Sequence, residues 1–157
     1  MVHGALSFLR SRVCGIASVR ALEHPYGMAM LPKNPEHWLY RFSPDEWLRA
    51  ARNELGASAE ALQERVQRKG VANARRAAGM ALNAVLVVQP NEAWGRSYMD
   101  HLRAVAHDAA IEEHIRHAAL QLLDAPLDGP RFIRIGGGGD EGLAAAALAI
   151  IEWCEGT

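Results

Sequence analysis

An all-α fold, an antiparallel bundle of four to five helices, is what this sequence predicts, on three observations. Apolar residues recur every three or four positions through most of residues 43–154. Helix start and stop signals punctuate that recurrence at intervals typical of globular helices. Paired runs of alternating apolar and polar residues, the mark of a sheet, are missing; a single short alternation occurs at 131–135.

The first helix carries the strongest signal. Ser43-Pro44-Asp45-Glu46 reads as a capping box, with Ser43 as N-cap, Pro44 in the first helical position and Glu46 reaching back. Phe42 before the cap is spaced to pack on Trp47 as a hydrophobic staple. Leu48, Ala51, Leu55, Ala59, Leu62 and Val66 then form an apolar stripe, opposite Arg49, Arg52, Glu60, Glu64 and Arg68. Gly70 is the expected break. The second helix is expected from about Val71 to Val88, stopping before Pro90. From Ala77 onward it is apolar on nearly every side, as the central helix of a bundle must be. Within it, Asn83 requires a buried partner, and Gly79 permits close helix approach at about 1 kcal/mol of helix propensity against Ala.

A third helix is expected over Glu92 to His107, with Tyr98, Leu102 and Val105 inward. Asp108 is the expected cap of a fourth, where Ile111, Ile115, Ala118, Ala119, Leu122 and Leu123 repeat at helical spacing. A turn at 124–130, the alternating Arg131 to Ile135 and four glycines follow. Asp140 then opens a last helix through Leu143, Ala147, Ile150, Ile151 and Cys154.

At 157 residues the chain fits one domain and can bury about two thirds of its unfolded surface. Residues 43–157 are the expected bundle domain; residues 1–42 are an N-terminal extension and linker. Half the residues are hydrophobic, 22% are charged and the formal net charge is −1. A general nucleic-acid binder would carry a clear Lys/Arg excess. Cys14 and Cys154, at opposite ends, read as free thiols in a reducing, cytoplasmic setting rather than a disulfide scaffold. No apolar run reaches the roughly 18 residues of a membrane span, so no membrane partner is expected. Between residues 5 and 22, Leu6, Leu9, Val13, Ile16 and Val19 recur at helical spacing with Arg10, Arg12 and Arg20 among them, and no acid precedes Glu23. This stretch reads as an accessory helix, or as an extension upstream of a start at Met28 or Met30, ahead of membrane contact or targeting. Pro25, Gly27, Pro32 and Pro35 make the next stretch a linker.

Few residue constellations point to chemistry. Gly137-x-Gly139-x-x-Gly142 satisfies a dinucleotide pattern, but Asp140 and Glu141 put anions where a pyrophosphate needs amide donors. A loop is the expectation there. His107, Asp108, Glu112, Glu113, His114 and His117 crowd one region, yet neither Glu-x-x-His nor His-Glu-x-x-His occurs. They read as a polar helix face, with no metal and no cofactor.

The stretches DEWLRAARNELGASAEAL (45–62) and ARRAAGMALNAVLV (74–87) resemble the HEPN domains, small helical bundles with two long antiparallel helices. His101-Leu102 is similar to the pair that opens the third helix in many members, and Arg131-Phe132 to the Arg-Tyr before the last. The resemblance spans residues 43–154. It implies a module that binds a nucleotide or a partner protein, such as a small nucleotidyltransferase, as a homodimer. It also implies an alternative, a metal-independent endoribonuclease acting on RNA in a toxin–antitoxin setting, with Arg96 and His101 as catalytic residues. A purely structural interaction bundle is the third reading.

Overall fold

The computed structural model describes residues 36–127 and 140–157. Five α-helices account for most of them: α1 (Pro44–Gln63), α2 (Gln67–Val88), α3 (Tyr98–His107), α4 (Glu113–Asp124) and α5 (Asp140–Glu155). No strand occurs among the described residues. The Arg131–Ile135 alternation, the glycine run, Arg131-Phe132, the linker and residues 5–22 with Cys14 lie outside them.

The capping box forms as its residue types dictate. Ser43 Oγ accepts from the Glu46 amide at 3.3 Å, and Glu46 Oε2 accepts from the Ser43 amide at 2.8 Å. Those bonds from Ser43 hold the Glu46 carboxyl below its ordinary range. Phe42 stacks edge-on against Trp47, ring centroids 5.0 Å apart, as a staple should. Before the cap, a 3-10 turn at Trp38–Arg41 packs on the bundle. Its Leu39 is buried, and the Leu39 carbonyl accepts from Trp47 Nε1 at 2.9 Å.

The α1–α2 boundary falls earlier than Gly70. Arg65 takes φ 64°, in the left-handed region, and α2 begins at Gln67. Gly70 is inside α2, set tightly against the end of α1. A Cβ on it would overlap the Leu62 side chain, and Ser58 Oγ donates to its carbonyl at 2.8 Å. This turn leaves Val66, expected in the stripe, 45% exposed. Trp47, Ala51, Ser58, Ala61 and Leu62 are the buried residues of α1, with Leu48 and Leu55 at the margin.

Helix α2 is the central element and touches all four other helices. Val71, Ala74, Ala77, Ala78, Ala81 and Leu82 are fully enclosed. Small side chains predominate because several neighbours must reach one axis. That burial takes up most of the apolar length of α2 within the chain itself. Arg75, in the more polar first half of α2, closes the end of α4. Its guanidinium donates to the carbonyls of Leu122, Leu123 and Ala125 at 2.8, 3.0 and 2.7 Å.

The third helix is shorter than expected. Residues 92–94 form a 3-10 turn, and α3 starts at Tyr98 behind a second capping box, Ser97 with Asp100. Helix α4 starts at Glu113, with Glu112 at its N-cap; Asp108 instead closes a turn by accepting from the Ala110 amide at 2.9 Å. Helix α5 buries Leu143, Ala147, Ile150, Ile151 and Cys154 in register with expectation. Arg52 and Glu155 pair in bidentate fashion at 2.8 and 2.6 Å and bring the C-terminal end of α5 to the N-terminal half of α1.

Candidate functional site

Arg96 and His101 are separated by a device that orients α3. Gly95 at φ 74° turns the chain out of the 3-10 segment, and a Cβ there would strike the Asp100 side chain. Asp100 Oδ2 then accepts from Ser97 Oγ at 2.6 Å and from the Ser97 amide at 3.2 Å, which lowers the Asp100 carboxyl from its ordinary range. This box sets the rotation of α3 so that His101, Leu102 and Val105 face the core. Arg96, just before the box, is exposed.

His101 is 0% exposed. Its Nδ1 lies 2.9 Å from the Trp94 carbonyl oxygen, which can only accept, so Nδ1 carries a proton. Burial lowers the imidazole from its ordinary value, against smaller opposing effects of Trp94 and Asp100. The ring is therefore neutral, and Nε2 is a bare acceptor. The Asn83 side chain meets it, with Oδ1 placed 3.1 Å from Nε2 and Nδ2 lacking a partner. Two acceptors do not bond. Turning the amide over points its N–H at Nε2 and removes both faults, leaving a carbonyl oxygen as the less costly orphan. Asn83, His101 and the Trp94 carbonyl thus form a sealed polar chain between α2, α3 and the 3-10 turn. The expected burial of Asn83 against a partner is met by His101. Gly79, one turn before Asn83, lies directly against Tyr98, where a Cβ would overlap the ring. The two candidate residues therefore do not share an exposed surface.

A second locus lies where α4 begins and α5 ends. Glu112, His114, Ile115, Ala149, Glu152, Trp153, Gly156 and Thr157 line an open groove of about 670 Å³. Ile115 is buried, Ala149 and Trp153 are half-buried, and Glu112, His114 and Glu152 are exposed. The groove therefore has an apolar floor and a polar, mainly acidic rim. His114 Nδ1 sits 3.3 Å from Glu112 Oε2. A shallower surface beside it is bounded by Glu113, His114 and His117. Glu113, His114 and His117 stand exposed on α4 with Glu112 at its cap, whereas His107 and Asp108, expected on the same polar face, close α3. Among the described residues, no three His, Cys, Asp or Glu side chains converge in a way that could hold a metal ion. Glu152 and Trp153 were not singled out from sequence. Their helical spacing shows only that they lie near the end of α5; the antiparallel α4–α5 pairing brings them to Glu112.

Cys154 is buried, and that burial pushes its thiol up to about 12. It is a core group with no thiolate to offer. No described helix is long and apolar enough to cross a membrane. The chain matches no family model, no curated protein and no solved structure.

Proposed function

We propose that this chain is a non-catalytic helical module that works by docking a partner protein. The observation that carries the reading is His101, fully buried with both ring nitrogens turned to internal groups. A general acid–base must come within hydrogen-bond reach of its substrate. His101 instead fastens α3 to α2, and Arg96 is left on the surface without it. The groove between α4 and α5 supports a protein over a nucleotide. Its carboxylates, Glu112 and Glu152, would repel phosphates, whereas an apolar floor with an acidic rim suits a cationic amphipathic segment. This agrees with the partner-binding activity that the HEPN resemblance implies, and a small nucleotidyltransferase is the partner class it would name.

The test is incubation of the purified protein with total RNA, without added metal, beside folded Arg96→Ala and His101→Ala variants. We expect no cleavage by any of the three. Cleavage by the wild type, lost in either variant, would overturn the reading in favour of an endoribonuclease.

A further inference from the structure

The groove between α4 and α5 has its counterpart at the α1–α2 turn. We propose that this turn of a second copy docks in the groove, with Val66 on the apolar floor and Arg65 and Lys69 against Glu112 and Glu152. The inference rests on the reading of the groove as a protein-docking surface and names its occupant.

Charge is the first argument. Residues 64–69 hold three bases, Arg65, Arg68 and Lys69, against one acid, Glu64. Arg65, Val66 and Lys69 are exposed. The turn leads into the positive end of α2, whose first turn contains no acid and whose N-cap, Val66, offers no side-chain oxygen. The groove has the opposite character. Glu112 and Glu152 stand on its rim, and the last turn of α5 holds no base to offset the carbonyl end of the helix. Arg52, at the same end, is engaged by Glu155.

Apolar match is the second argument. Val66 is a large apolar side chain left 45% exposed, directly after the left-handed turn at Arg65. Glycine takes that backbone conformation more readily, but it would carry no charge there. The floor of the groove presents Ile115, Ala149 and Trp153. A projecting apolar residue flanked by cations thus faces a recess rimmed by carboxylates.

Geometry is the third. The Arg52–Glu155 pair fixes the end of α5 beside Arg52, and from there α1 runs on to Gln63 for about 17 Å. Turn and groove therefore lie towards opposite ends of the bundle and cannot meet within one molecule. Docking joins copies head to tail, and each added copy brings a fresh groove, so assembly runs past the dimer. One turn in one groove buries little area, which makes the contact weak and sensitive to salt.

Sedimentation equilibrium of the full chain, up to about 1 mM at low ionic strength, tests the proposal. We expect the mean mass to climb past the dimer and to return to the monomer in roughly 0.5 M salt. Val66→Ser with Lys69→Gln removes the docking turn, and Glu112→Lys with Glu152→Lys reverses the groove. All four residues are exposed, so the helical circular dichroism should stay unchanged. Each double variant alone should remain monomeric. An equimolar mixture should stop at a dimer, because it retains one working turn and one working groove. A wild type that stays monomeric, or that stops at a dimer, overturns the proposal. So do variants that assemble as the wild type does, or a mixture that stays monomeric. RNA cleavage would defeat the functional reading without changing any of these masses.

Discussion

His101 holds two elements in place through two nitrogens: Nδ1–H donates to the Trp94 carbonyl in either charge state, whereas Nε2 accepts from Asn83 only when the ring is neutral. Truncation to Ala would leave the Trp94 carbonyl and the Asn83 amide without partners and open a cavity. We expect His101→Ala to cost roughly 2–5 kcal/mol by urea unfolding, from the cavity and the unsatisfied groups together. The pH dependence follows from the lowered folded-state value. In the unfolded chain the imidazole returns to its ordinary value, 6.5, and binds a proton at a higher pH than it does when folded. Its contribution is therefore present in full above that value and is lost as pH falls below it. Stability measured from pH 8 to pH 5 should decline on the acid side, and less steeply in His101→Gln. An unchanged slope in the variant would place the titrating group elsewhere. The pairing of Asn83 with His101 was half legible in sequence. The requirement for a partner came from Asn83 standing in an apolar run; the identity of that partner depends on α3 crossing α2.

At the scale of the element, glycine has opposite meanings in neighbouring helices. Gly56, in α1, has nothing within 4 Å of the position a Cβ would take and is exposed. Gly56→Ala should stabilise by about 1 kcal/mol, the propensity difference. Gly79, in α2, is set against the Tyr98 ring at its rigid end. Gly79→Ala gains the same propensity but must displace α3, and overpacking of this kind costs about 1–3 kcal/mol. Thermal melts of the two variants should shift in opposite directions. Both capping boxes were present as residue patterns. Ser43-x-x-Glu46 stood out because a staple and a long stripe accompany it, while Ser97-x-x-Asp100 precedes only four buried residues. The break at Arg65 escaped a reading that looked for glycine. Gly70 answers to the proximity of Leu62, and proximity between helices has no local signature.

At the scale of the whole molecule, α5 closes the bundle against α1, α2 and α4. Cys154 reports on that closure. With the residue 7% exposed and its thiol pushed up to about 12, it should react with iodoacetamide only as fast as the bundle opens. Peptide mapping should show Cys154 labelling accelerate with urea in step with loss of helical circular dichroism. Rapid labelling in native buffer would mean that α5 detaches on its own.

Sequence alone determined the helical class, the start of α1, the centrality of α2 and the buried face of α5. Each follows from periodicity or local capping, interactions that reach no more than four residues along the chain. Tertiary structure decided what those rules cannot reach. It set the true α1–α2 turn, the burial of His101 and its separation from Arg96, the bond of Arg75 to the end of α4, and the groove joining Glu112 to Glu152. These depend on which helix lies beside which. Such contacts join residues tens of positions apart, and nothing in the spacing along one helix records its neighbour.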